Sequence, residues 1–96
     1  MNAQRLRNLT TGKLHTSVEH VYQDIEYLTG EAGIMTHHVP NATLALEPFL
    51  REKLLDERFW DERFDPTHVG DVAIVPMTED ESEAFFERFR ALQSLI

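Results

Sequence analysis

The sequence predicts a mainly α fold (α+β), with three to four helices packed around one core and at most a short two-stranded β element. Three observations carry that expectation. Apolar residues recur at helical spacing in several stretches, threonine-to-glutamate capping patterns mark two helix starts, and only residues 71–76 alternate as a strand does. The chain of 96 residues is expected to form one domain, 1–96, because so short a chain buries only about two thirds of its unfolded surface and does not support two cores. A hydrophobic content of 42% with 27% charged residues suits a globular domain and is too apolar for a disordered one.

Asn2 to Leu9 reads as a short helix with Leu6 and Leu9 inward, under three turns long and dependent on tertiary support. Thr10, Thr11 and Gly12 break it, and Lys13 to His15 reads as an extended stretch or a single short strand. Thr16 with Glu19 matches a capping box. From Ser17 to Thr29, Val18, Val21, Tyr22, Ile25 and Leu28 fall on one helical face, leaving Glu19, Gln23, Asp24 and Glu26 for solvent. Gly30 is placed to end that helix in a left-handed cap.

Asn41 to Leu55 is the most apolar helix, with Ala42, Ala45, Leu46, Phe49, Leu50 and Leu54 along one stripe. Pro48 lies inside it, where a proline removes a donor and crowds the preceding turn. The stripe stays in phase across it, so the expectation is a kinked helix or two abutting helices. Asp65-Pro66-Thr67-His68 reads as a turn, with Gly70 permitting a sharp exit. Asp71 to Pro76 reads as a short strand, for which Lys13 to His15 is the available partner. Thr78 and Glu81 form the second capping box, opening a helix to about Ser94 that buries Phe85, Phe89 and Leu92 with Phe86 at its margin. Leu95 and Ile96 end the chain apolar, as a docked terminus would. No internal repeat is read.

The charge narrows the function classes. The net charge is -8, and residues 1–18 carry three bases and no acid, leaving all seventeen acids in the rest. An acidic body repels DNA and RNA and is drawn to basic surfaces, although an acidic surface also serves solubility alone. Arg5, Arg7 and Lys13 form too small a patch to reverse that, so direct nucleic-acid binding is not expected. Absence of cysteine excludes disulfides, thiolate zinc sites and cysteine nucleophiles. No apolar run approaches about 18 residues and the first twenty residues lack a signal-peptide core, so a soluble, cytoplasmic protein with no membrane contact is expected.

Candidate chemistry is sparse. The four glycines are isolated at 12, 30, 33 and 70, which leaves no phosphate-cradling loop, and no cofactor is expected. His15 and His20, five residues apart, do not share a helix face. His37-His38 invites a metal reading, yet adjacent side chains diverge by about 100° on a helix and about 180° on a strand, and helix-start capping or polar packing is the simpler account. Asp61, Asp65 and His68 form the best local constellation, able to orient an imidazole or bind a cation. The structural alternative has Asp65 capping the turn and His68 bonded to a backbone group. Catalytic residues are therefore none, and metal candidates are limited to His37, His38, Asp65 and His68, with Asp61 beside them.

Three blocks, Leu9 to Thr16, Gly33 to Pro40 and Phe59 to Gly70, together resemble a family of small proteins encoded by bacteriophages and prophages. The resemblance covers about Leu9 to Leu92 and carries no catalytic motif. It implies a non-enzymatic inhibitor of a host defence system, anti-CRISPR-like, acting in the cytoplasm of a bacterial host. Such an inhibitor binds a protein or ribonucleoprotein effector with a basic surface, as a monomer or homodimer. The acidic, aromatic segment Arg58, Phe59, Trp60, Asp61, Glu62, Arg63, Phe64 and Asp65 supplies charge complementarity and anchors for that binding. Two other classes stay open: a metal-binding protein or small metal-dependent enzyme, and a structural or accessory phage protein self-associating through Phe59, Trp60 and Phe86.

Overall fold

The computed structural model describes residues 1–94, so the expected docking of Leu95 and Ile96 lies outside the described residues. Among the described residues there are four helices: α1 (Ala3–Thr11), α2 (Val18–Thr29), α3 (Val39–Lys53) and α4 (Glu79–Gln93). Short 3-10 turns, Thr36–His38 and Glu57–Trp60, precede and follow α3. None of these helices is long and apolar enough to cross a membrane.

Helix α1 runs two residues past its predicted end. Asn2 caps it by accepting from the amides of Gln4 and Arg5, and the Thr11 hydroxyl donates to the Arg7 carbonyl at 2.6 Å, which seals the last turn that a β-branched residue would otherwise weaken. The chain then turns at Gly12, whose φ of 70° is left-handed backbone that favours glycine.

Residues 13–16 are not a strand. Asn8, buried on α1, accepts the amides of His15 and Thr16 at 2.6 and 3.1 Å and donates to the Thr16 hydroxyl at 2.6 Å. That side chain satisfies the loop's polar groups, and the same bond removes the expected capping box. Thr16 is occupied by Asn8 and His20, so Ser17 takes the N-cap position without a side-chain bond. Asp24, expected in solvent, is instead buried and bonded bidentately by Arg5, at 2.9 Å from Nε and 2.5 Å from Nη2. This pair ties α2 to α1. Gly30 ends α2 as expected, at φ 79° with its amide on the Glu26 carbonyl.

Helix α3 is a single helix and not two abutting ones, with Pro40 in its first turn and Pro48 inside. Pro48 leaves the Leu44 carbonyl without its helical donor, and the neighbouring Ala45 carbonyl accepts Arg88 Nε at 2.8 Å. Helix α4 is thus tied to α3 beside the turn that Pro48 disturbs. The Thr78–Glu81 capping box is present in both directions, with Thr78 amide to Glu81 at 2.9 Å and Glu81 amide to Thr78 at 3.2 Å.

The expected two-stranded element is not seen. Among the described residues there is one isolated antiparallel bridge, Asn2 to Asp71, flanked by bonds between Met1 and Val72 at 2.6 and 2.7 Å. The apolar alternation of 71–76 therefore serves a different purpose. Ile74 enters the core, the Met77 amide reaches the Leu28 carbonyl at 2.8 Å, and the segment crosses the helices as an extended strap. The core gathers Leu6 and Leu9 of α1, Val21, Ile25 and Leu28 of α2, Ala42, Ala45, Leu46, Phe49 and Leu50 of α3, and Phe85 of α4.

Candidate partner-binding shelf

The segment from Asp56 to His68 is built from short-range turns laid against one face of α1. Its sequence contains a feature that the linear reading overlooked, a tandem Asp-Glu-Arg-Phe at 56–59 and 61–64. Both copies fold alike at the start. Asp56 accepts the Arg58 amide at 3.0 Å and pairs with its guanidinium at 2.7 Å; Asp61 accepts the Arg63 amide at 2.9 Å and pairs with its guanidinium at 2.7 Å. A third turn of this kind follows, as Asp65 accepts the Thr67 amide at 2.9 Å and hydroxyl at 2.6 Å. The copies then diverge. Phe59 is a core residue, whereas Phe64 is 67% exposed and stacks loosely on His15 at 6.4 Å.

Helix α1 holds this segment through three side chains at a spacing of three. Gln4 donates to the carbonyls of Asp65 and His68 at 2.7 and 2.9 Å. Arg7 donates to the carbonyls of Asp61, at 2.7 Å, and Arg63, and Thr10 donates to the Phe59 carbonyl. Gln4, Arg7 and Thr10 form one polar stripe beside the apolar Ala3, Leu6 and Leu9. The stripe was visible in the sequence, but an arginine so placed reads as a surface base unless its target is known. Arg7 is in fact fully buried, and no ion pair with it is found among the described residues.

The predicted partner-binding residues therefore separate by position. Phe59 belongs to the core and presents nothing to a partner. Trp60 is half-buried, donates its indole N–H to the Leu54 carbonyl at 3.1 Å and is covered by the Arg51 guanidinium 3.7 Å from its ring. Asp61 and Asp65 are half-buried turn residues. Arg58, Glu62, Arg63 and Phe64 face outward, and Glu62 pairs with Lys13 at 3.1 Å. A pocket of about 270 Å³ opens among Arg7, Arg58, Asp61, Arg63, Phe64 and Asp65.

Three aspartates of this segment are held ionised. Hydrogen bonding from Arg58 lowers Asp56 to about 2, hydrogen bonding from Arg63 takes Asp61 well below the usual carboxylate range, and hydrogen bonding from Thr67 lowers Asp65. His68 is buried edge-on to Phe59, with centroids 4.4 Å apart, and its Nδ1 meets no partner among the described residues. The expected bond from this ring to a backbone group is thus not found at that nitrogen. Burial lowers the pKa of His68, helped by the positive Arg58.

That shift sets a pH dependence. The unfolded chain takes up a proton near pH 6.5, and folded His68 does so only at lower pH, so between those values the unfolded state holds more protons and stability falls as pH falls. His15, lowered by burial and by Arg7, acts in the same direction. The urea midpoint is expected to drop from pH 7 to pH 5, and a His15→Gln/His68→Gln double variant to show a flatter profile. An unchanged slope in the double variant would contradict this assignment.

The metal candidates do not assemble. His37 is exposed, its ring 4.0 Å from that of His38, and His38 accepts the Met35 amide at 3.4 Å and packs edge-on to Phe89. Asp61 and Asp65 are committed to their turns. Among the described residues no three His, Asp or Glu side chains gather as metal ligands.

Residues 1–61 match the model of a family described as a domain of unknown function, DUF7736. No curated protein and no solved structure matches the chain. The matched stretch takes in α1, α2, α3 and the first Asp-Glu-Arg-Phe copy, with Arg7, Arg58 and Asp61 inside it and Arg63 to Asp65 beyond it.

Proposed function

The chain belongs to the DUF7736 family, and from that premise, which carries no activity of its own, we propose that it works by binding and not by catalysis, through the shelf from Arg58 to Asp65. The observation that supports this reading is the combination of outward Arg58, Glu62, Arg63 and Phe64 with a backbone pinned from below by Gln4, Arg7 and Thr10. A surface held in place before binding loses little conformational freedom when a partner docks. An exposed aromatic beside charged groups is the composition of an interface hot spot.

The finer reading is an inhibitor of a bacterial host's defence, encoded by a phage and anti-CRISPR-like, that meets a basic protein or ribonucleoprotein surface in the cytoplasm. The net charge of -8 supports attraction to such a surface and repulsion of free nucleic acid. Self-association through Phe59, Trp60 and Phe86 has less support, because Phe59 is buried and Trp60 is covered by Arg51. The test is plaquing of a CRISPR-targeted phage on cells expressing the protein. Wild type is expected to restore plaques. Phe64→Ala should keep its circular dichroism and weaken rescue, since removing one hot spot costs about 2 kcal/mol, or roughly 30-fold in affinity. No rescue by wild type against any effector type would sink the finer reading.

A further inference from the structure

The extended strap that follows Gly70 has one edge in use and one edge free. Along the first, Val72 exchanges both of its backbone bonds with Met1, at 2.6 and 2.7 Å, and the Gly70 carbonyl accepts the Ala3 amide at 2.9 Å. Successive residues of an extended chain offer their backbone groups to opposite edges, so Asp71, Ala73 and Val75 turn theirs the other way. The amides and carbonyls of these three meet no hydrogen-bond partner among the described residues. All three residues are exposed, Val75 to 77%, while Ile74 and part of Val72 face the core. The free edge ends at Pro76, beyond which the Leu28 carbonyl accepts the Met77 amide. Folded proteins usually blunt such an edge with a lysine, a proline or a bulge. Here the central outward positions are Ala73 and the β-branched Val75, which favour strand pairing.

We propose that this free edge is a docking site for an extended segment of a partner protein, which adds as a strand beside 71–75 and carries a basic residue at the end that meets α4. Backbone bonds to Asp71, Ala73 and Val75 select the extended conformation, and β-branched side chains suit the contact with Ala73 and Val75. Charge selects the basic end. No charged side chain lies from Val72 to Thr78, and the strap then runs into exposed Glu79 and Asp80, which form no ion pair among the described residues. Glu81 is matched by Lys53, and Asp71 stands in one pocket with the Met1 ammonium and the paired Arg5 and Asp24. The unmatched charge of the strap therefore lies at its α4 end. A second copy is a poor occupant, because it brings its own net charge of -8 against this one.

The strap lies outside Arg58 to Asp65, and its test uses neither the host partner nor the shelf, so the failure of either reading leaves the other standing. The 15N-labelled protein is titrated at constant ionic strength with two capped peptides, Lys-Lys-Val-Thr-Val-Thr-Val and Val-Thr-Val-Thr-Val-Lys-Lys. The tighter one reports the direction of the added strand. Saturable shifts and slowed hydrogen exchange at the Ala73 and Val75 amides are expected. Glutamate in place of lysine, or N-methylation at alternate residues of the peptide, should each weaken binding by about tenfold or more. Ala73→Pro removes an amide that bonds nothing within the protein and should abolish the shifts. Val75→Lys keeps every backbone group of the strap, sets a base on its edge and should weaken the lysine peptides by about tenfold even if Ala73→Pro fails to fold. No saturable shift with either lysine peptide, equal binding of the glutamate or N-methylated forms, or shifts confined to other segments would overturn the proposal. Protection of Ala73 and Val75 that rises with protein concentration alone would also overturn it, by giving the edge to a second copy.

Discussion

Phe85→Ala is expected to destabilise the domain by about 3–5 kcal/mol, the usual range for deleting a fully buried phenylalanine. A domain of this size has a total stability of about 5–14 kcal/mol, so the loss takes a large part of it. The reason lies in how α4 is attached. Phe85 is its one fully buried side chain among the described residues, edge-on to Phe86 at 5.0 Å and stacked on Phe89 at 6.0 Å. Phe86, Phe89 and Leu92 pack only half-buried against the core, and the polar ties to α3 are Arg88 to the Ala45 carbonyl, Asn41 to Gln93, and Lys53 to Glu81 at 3.9 Å. Such contacts orient a helix and add little to its docking. Urea denaturation measures the loss, and hydrogen exchange should show α4 amides opening before those of α2. Phe86→Ala, half-buried, should cost about 1 kcal/mol. Equal losses for the two variants would refute Phe85 as the anchor.

The helices were legible because each writes its buried face at a period of 3.6. Ala42, Ala45, Leu46, Phe49 and Leu50 lie in the core as their spacing implied, and Thr78 with Glu81 marked the start of α4. What failed to read were positions where a single polar side chain from elsewhere decides local structure. Lys13 to His15 resembles a strand in composition, but Asn8 already occupies its amides. Thr16 and Glu19 resemble a capping box, but Asn8 and His20 occupy the threonine. The alternation of Val72 and Ile74 was real, yet it records a strap with one face on the core and not a sheet, since period 2 reports extended backbone and half-burial without specifying a partner.

The candidate site shows the same divide. Composition singled out residues 58–65, because three aromatics within six residues cannot all be left in water cheaply, each burying about 150–250 Å². Which of them turns inward depends on α1. The tandem Asp-Glu-Arg-Phe places two phenylalanines in equivalent local turns, and only the first meets the core and His68. Local sequence is identical in the two copies, so their different fates are decided by tertiary contact. Arg7 was illegible for a related reason, since its acceptors lie 54 and 56 residues away and are backbone carbonyls, which leave no mark in side-chain composition.

Arg7 therefore supports the second large prediction, in which two substitutions separate volume from charge. Arg7→Ala is expected to cost about 2–4 kcal/mol, because it empties a fully buried site. Arg7→Met retains most of the stem and should cost less than half as much. The opposing effects decide this. Losing the guanidinium frees the carbonyls of Asp61 and Arg63, at about 1–3 kcal/mol for each that stays buried without a donor. Both belong to a segment whose outer face is open to water, so the segment moves outward and hydrates them only in part. Against that loss stands the relief of a buried guanidinium that has no direct ion pair, a penalty of several kcal/mol after relaxation. The two nearly cancel, and volume remains. Both variants should speed hydrogen exchange of the amides from Asp61 to Asp65, because the tether is gone in each. If Arg7→Met proves as damaging as Arg7→Ala, the hydrogen bonds outweigh volume; if it exceeds wild type in stability, Arg7 is kept at a cost to folding.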